Sequence, residues 1–224
     1  MIIVFRTIGT IVLVGALAFF FVRCIAVLGS ETVPPGDDIL SQAASAGAFS
    51  SYSVPVHFAV HLKRPIGVRA PVEGIVYFRA PASAALVLTK VPSALGHFFT
   101  GSYQLAMTPQ TWPSQYQITS VTQAQSDATP TYVLNGVPRV ADPSIERVEI
   151  TVAQADDNPL TIGWYYKDKS TIFLTMENQR ISGAAVPRTE KIDVNMPGYA
   201  IDAVATYGEY ALNVPISDDV FRKR

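Results

Sequence analysis

The feature that most constrains this chain is a side-chain alternation of period two that begins at Val54 and recurs almost to the end. Val54, Val56, Phe58, Val60 and Leu62 share one face, and His57, Ala59, His61 and Lys63 take the other. The same rhythm fills "LTIGWYYKDKSTIFLTM", residues 160–176. There Leu160, Ile162, Trp164 and Tyr166 alternate with polar or small neighbours, Lys167-Asp168-Lys169-Ser170 interrupt them, and Ile172, Leu174 and Met176 resume. Side chains along a strand point to opposite faces in turn, so alternation on both sides of a short polar break predicts a β-hairpin. Further strands are expected over 72–80, 83–91, 112–125, 131–140, 144–154, 180–194 and 199–213. Pro71 and Pro81 are expected at strand boundaries, where a missing N–H is tolerated, and "ADDNP" (155–159) is expected as a plain turn. About nine to eleven strands joined by short turns predict a largely antiparallel sheet rather than βαβ winding. A sheet of that many strands must curl, close or fold over itself.

Two stretches break the rhythm. "DDILSQAASAGAFSSY" (37–52) places Ile39, Leu40, Ala43 and Ala46 on a small apolar face, with Asp37 or Asp38 positioned to cap a helix start and Gly47 to end it. In "PSALGHFFTGSYQLAMTPQT" (92–111), Leu95, Phe98 and Phe99 stand at i, i+3 and i+4, and Gly96 and Gly101 limit the helix to one or two turns. The two helices are the natural cover for the open side of the sheet.

The first 29 residues contain no acid; Arg6 precedes an apolar run from Ile8 to Val22, and Arg23 follows it. A charged start with a short apolar core predicts either a secretory signal peptide or an uncleaved membrane anchor, the latter reaching spanning length if Arg23 snorkels and Ile25–Leu28 extend the run. Both readings send the chain across a membrane and make residues 30–37 a Pro/Gly linker, 38–215 the folded domain and 216–224 a tail. The sole cysteine, Cys24, follows Arg23, where a lipid-attachment signal needs a small residue, and residues 30–224 contain none. No disulfide framework or thiolate metal site is available. Export without disulfides fits a bacterial envelope protein, periplasmic or anchored to the inner membrane facing outward.

Charge and motifs exclude several classes of function. The chain has 17 basic and 18 acidic residues; leaving aside Arg6 and Arg23, the remainder carries about −3, which attracts no nucleic acid. There is no G-x-S-x-G, G-x-G-x-x-G, phosphate-cradling glycine loop or C-x-x-C. His57 and His61, four apart on a strand, lie about 13 Å apart, too far to share one ion. Asp156-Asp157-Asn158 lacks the spaced acids of a calcium loop. Glu190, Asp193, Asp202 and Glu209 alternate with Lys191 and apolar residues and are expected on an ordinary outer face. No metal, cofactor or catalytic residue is expected, and the chain is not read as an enzyme.

The apolar and aromatic surface remains: Phe98, Phe99, Trp112, Trp164, Tyr165 and Tyr166, with Gly163, Gly183, Ala184 and Ala185 as candidates to leave space inside the sheet. "HFFTGSYQLAMTPQTWPSQYQITSV" (97–121), "IGWYYKDKSTIFLTM" (162–176) and "VPRTEKIDVNMPGYAIDAVATYGEYALNVPI" (186–216), with the closing pattern Tyr207, Tyr210 and Asn213, resemble the LolA/LolB-like superfamily of lipoprotein carriers and lipoprotein-sorting relatives. The resemblance covers about residues 50–215 and implies an α+β, mainly antiparallel fold, a curled unclosed β-barrel with short helices over its open side, preceded here by the N-terminal hydrophobic helix. It implies a non-catalytic carrier holding the acyl chains of a lipid or lipoprotein in an apolar concavity. The expected lining is Val76, Phe78, Leu86, Leu88, Ile118, Ile150, Trp164, Tyr166, Ile172 and Leu174, with Leu95, Phe98 and Phe99 as a lid. Partners are then acyl chains, the membrane if residues 1–29 remain, and other envelope proteins. The alternative is a membrane-tethered sensor or protein-interaction module with the same sheet filled solid.

Overall fold

Alternation sets the architecture. The computed structural model describes residues 32–47, 49–93 and 108–222. The chain divides between Val33 and Pro34, and the unit considered below is Pro34–Arg224. Residues 1–29, assigned from sequence to a signal or anchor, and the expected lid residues Leu95, Phe98 and Phe99 lie outside the described residues. Among those described, no helix is long and apolar enough to cross a membrane.

Eleven strands form one antiparallel sheet: β1 (Ser51–Arg64), β2 (Val68–Arg79), β3 (Ser83–Lys90), β4 (Tyr116–Ser126), β5 (Thr129–Pro138), β6 (Ile145–Ala153), β7 (Pro159–Tyr166), β8 (Thr171–Ile181), β9 (Ala184–Asn195), β10 (Ala200–Tyr207) and β11 (Ala211–Leu212). The order is β3-β2-β1-β10-β9-β8-β7-β6-β5-β4, with β11 pairing the start of β1. The last long strand returns beside the first, and β3 and β4 terminate the two edges with no ladder between them, so the sheet is curled but unclosed. A right-handed twist accumulated over so many strands brings the halves of one face toward each other.

Three local expectations are corrected. Residues 112–115 are not strand: Pro109–Thr111 form a 3₁₀ turn running into a short helix, α2 (Trp112–Gln115), because Pro113 stands where a first helical turn needs no N–H. Pro71 is not at a boundary but inside β2, opposite Ala59. β3 pairs β2 only from Glu73 onward, so Pro71 has no partner to deprive of a donor. The first helix, α1 (Gly36–Ser45), buries Ile39, Leu40 and Ala43 as its spacing requires, but neither Asp37 nor Asp38 caps it. Asp37 Oδ1 instead accepts from Ile118 N of β4 at 3.1 Å. The stretch 155–158 is a turn, tied by Arg180 Nη2 to Asp156 at 3.0 Å. At the C-terminus Arg79 gathers the chain: it pairs with Asp218 (2.6 Å), donates to the Ile216 carbonyl (3.2 Å) and lies 4.8 Å from the Phe221 ring.

Candidate functional site

Antiparallel register turns the alternation into rows that cross the sheet on its inner face. One row runs Ala70, Val60, Ala203, Ile192, Leu174, Ile162, Ile150, Leu134, Val121, from β2 to β4. The next runs Val68, Leu62, Ile201, Val194, Ile172, Trp164, Val148, Gly136, Ile118. On the β1–β3 side, Leu86, Val76 and Val54 form a third. Seven of the ten residues expected to line the concavity stand in these rows, and Phe78, Leu88 and Tyr166 have the same parity as Val76, Leu86 and Trp164 on their strands. Val76, Phe78, Leu86, Ile150, Trp164 and Leu174 are buried; Leu88, Ile118, Tyr166 and Ile172 are half-buried and pack against them. Leu134, Val148, Ile150 and Ile162 are each 0% exposed, so this stretch of wall is filled by its own side chains. Burial of each such side chain contributes about 1.5–3 kcal/mol.

Of the four residues expected to leave space inside the sheet, Gly163 does the opposite job on the other face. Gly163 has outward parity, and a Cβ there would stand 2.7 Å from the Phe173 ring, which meets Tyr165 edge-on at 5.4 Å. Arg147 covers that outer pair, with its guanidinium carbon 3.4 Å from the Tyr165 ring centre.

Helix α1 spans the concavity and is held at both ends by polar contacts. At its start, Asp37 accepts from Ile118 N and pairs with Arg139 at 3.3 Å. At its end, Ala185 N donates to the Ala46 carbonyl at 2.8 Å and Gln110 Nε2 to the Gly47 carbonyl at 3.0 Å. A ten-residue helix is about 15 Å long, so α1 bridges from edge strand β4 to the start of β9. Gly47 is required there, since a Cβ would lie 2.5 Å from the Ala185 carbonyl oxygen.

The inner wall also carries polar groups. Trp164 Nε1 donates to Tyr116 Oη at 2.8 Å, and burial, followed by Tyr116 and Asp142, pushes the half-buried Tyr166 phenol up to about 12. Trp112 is fully buried with Nε1 unpartnered. Glu190 is the largest departure from the sequence reading. Expected on the outer face, it is 0% exposed on the inner one, between Ala205 of β10 and Met176 of β8. Its parity matches Ile192 and Val194, and that was the available signal; the adjacent Lys191 drew the residue into a solvent-facing reading. Tyr207 Oη donates to Glu190 Oε2 at 2.7 Å, while Oε1 has no partner. Burial raises the carboxyl to about 8 against a smaller opposing pull from Tyr207. Tyr210 Oη donates to the Pro187 carbonyl at 2.7 Å, and Tyr52 stacks on Phe78 and meets Tyr210 edge-on; burial holds both phenols far above the usual range. An unpartnered buried polar atom costs about 1–3 kcal/mol.

The outer face behaves as surface. Lys63 bridges Asp202 (2.5 Å) and Asp193 (3.8 Å). An open depression of about 430 Å³ is lined by His57, Ala59, His61, Arg69 and Pro71. Val60 and Ala70 of the first row complete its lining, and the other lining residues have outward parity. Among the described residues no cluster of three or more His, Cys, Asp or Glu could hold a metal ion.

No protein-family model and no curated protein sequence matches the chain. Solved structures do match its fold. A LolA superfamily protein from Nitrosomonas europaea superposes with a TM-score of 0.67 at 14% identity, over 85% of this chain and 99% of that one. A domain described as outer-membrane lipoprotein-sorting, from Vibrio parahaemolyticus, gives 0.63 at 9% identity, over 83% and 95%. A DUF1329 family protein from Desulfovibrio piger gives 0.60 at 12%, over 84% and 95%. The fold is LolA-like: one curled, unclosed antiparallel sheet with few and short helices among the described residues.

Proposed function

We propose that this protein is an extracytoplasmic binding or carrier protein that holds the acyl chains of a lipid or lipoprotein against the inner face of its sheet, without catalysis. The observation that carries the reading is the set of apolar rows running from β2 to β4 without interruption, with α1 tied at its start to β4 and just past its end to β9. Solid packing of that wall means that a chain enters by displacement. α1 lifts, and the apolar surface covered by Ile39, Leu40 and Ala43 is offered to the ligand. Each methylene buried contributes about 0.8 kcal/mol, so a long acyl chain offsets the loss of the helix's contacts. The fold shared with a lipoprotein-sorting domain supports the choice of cargo class. The N-terminal apolar segment supports export, with the unit beginning at Pro34 facing the periplasm.

One observation favours a second reading. The zero exposure of Leu134, Val148, Ile150 and Ile162 suits a sheet that is permanently filled, which would make the protein an envelope sensor or interaction module. Native mass spectrometry of the protein as an exporting bacterial host produces it, with organic extraction of the same sample, separates the two. The carrier reading expects a stoichiometric adduct that extracts as phospholipid or acylated peptide. A mass that stays bare after incubation with lipid supports the filled module.

A further inference from the structure

Apart from accepting the Tyr207 hydroxyl with one oxygen, the carboxyl group of Glu190 has no structural task that an apolar side chain could not perform. It stands in an inner-face row beside Phe58, Ala205 and Met176, where a methionine would fill the same length of side chain. It neutralises no cation: burial alone raises its titration, Tyr207 pulls it back in part, and no charged neighbour contributes. The groups facing it are Tyr52 of β1, Met176 of β8, Ala205 and Tyr207 of β10, and Tyr210 beyond β10, whose hydroxyl is already given to Pro187.

The hydrogen bonding is asymmetric. Oε2 accepts from Tyr207 at 2.7 Å, whereas Oε1 is buried and free of any partner. A carboxyl kept neutral by burial carries one O–H, and with Oε2 occupied as an acceptor the proton belongs on Oε1. The wall therefore presents an oriented donor without an acceptor, set in a row with Phe58, Ala205 and Met176.

We propose that Glu190 is a recognition site for the carbonyl group at the head of a bound acyl chain, an ester or amide whose oxygen accepts from Oε1 while Tyr207 holds the other oxygen in place. The proposal rests on the carrier reading and deepens it. An acyl ligand has an acceptor at the junction of chain and head group and none along the chain, so a donor at the head of an apolar stretch of strand fixes where the chain begins. From Glu190 the inner face of β9 continues through Ile192 to Val194, roughly 13 Å of apolar track for the methylenes that follow. The donor disappears when the carboxyl ionises, so recognition weakens as pH rises through the region where Glu190 titrates.

The test compares two probes of equal chain length, 1-monopalmitoylglycerol and its ether analogue 1-O-hexadecylglycerol, which lacks only the carbonyl. Their affinities for the full protein are measured at pH 6 and pH 9.5, with Glu190→Gln and Glu190→Met alongside. The wild type is expected to prefer the ester about tenfold at pH 6, the worth of one well-made hydrogen bond, and to lose that preference at pH 9.5. Glu190→Gln keeps an N–H donor and should retain the preference at both pH values. Glu190→Met should bind both probes without distinguishing them. An ester preference that survives in Glu190→Met, or equal binding of the probes by the wild type at pH 6, overturns the assignment. Failure of the wild type to bind either probe overturns it together with the carrier reading, whereas binding of both without discrimination leaves the carrier reading intact and removes the carbonyl site alone.

Discussion

Glu190 and Asp193 lie three residues apart on one strand, and β9 treats them oppositely. Glu190 is on the inner face, stripped of water, raised to about 8 by burial and held by one tyrosine. Asp193 is on the outer face, raised by its own lesser burial and by Asp202, but within reach of Lys63 and open to solvent. Its cross-strand neighbour Asp202 is lowered, first by the hydrogen bond from Lys63. The outer carboxylates answer to ordinary screened electrostatics. The inner one stays uncharged at neutral pH because the wall around it is made for apolar contact. The same strand thus separates a surface built for solvent from one built to exclude it.

The contrast can be broken by substitution. Trp164→Ala on the inner face should cost about 3–5 kcal/mol of stability, through lost packing and the unpaired Tyr116 hydroxyl, whereas Tyr165→Ala one residue away on the outer face should cost much less. Urea midpoints of the two variants measure the difference. If Tyr165→Ala proves the more damaging, the assignment of faces is wrong.

Glu190 and Asp202 should also differ in the sign of their pH dependence, whereas Asp193, raised like Glu190, shares its sign. Glu190 has a folded value above its unfolded one, so the stability it permits is complete below about 4.5 and is lost as pH rises through about 8. Between pH 5 and pH 9 the wild type should lose a few kcal/mol relative to Glu190→Gln, read from urea titrations across that range. Asp202, with a lowered value, contributes in the other direction, losing its part as pH falls through the acidic range. Asp202→Asn removes a solvent-exposed pair and should move the urea midpoint little at pH 7. Tyr207→Phe at pH 6 should cost about 1 kcal/mol, for the hydrogen bond to a carboxyl that is already neutral. Its clearer mark is a shift of the Glu190 titration to higher pH, since Tyr207 is the group that pulls it down.

Much of this was legible in the alternation. Trp164, Ile172 and Leu174 fall on the inner face because the paired Tyr165 and Thr171 are separated by an odd number of residues, 166–170, which keeps even-numbered positions together across the hairpin, and Val76 and Leu86 follow because β1, β2 and β3 are joined by tight turns. What sequence missed has physical causes. Trp112 looked like the first residue of a strand, but Pro113 favours a helical start. Gly163 looked like a gap inside, but strand parity turns it outward beneath Phe173. The charge of Glu190 suggests solvent, but its place among apolar residues of the same parity, Ile192 and Val194, is the better guide. Asp37 was read as a local cap, and no local rule reveals that its carboxylate reaches β4 instead.

The central claim is that acyl chains occupy the inner face of this sheet. A palmitoyl lipid carrying a photoactivatable diazirine near the chain end, irradiated with the protein and followed by peptide mapping, tests it directly. The account predicts labelling within 160–177 and 186–195, at inner-parity residues such as Ile162, Trp164, Ile172 and Leu174. Labelling confined to the outer depression around His57, Ala59 and Pro71, with the inner residues untouched, would contradict it.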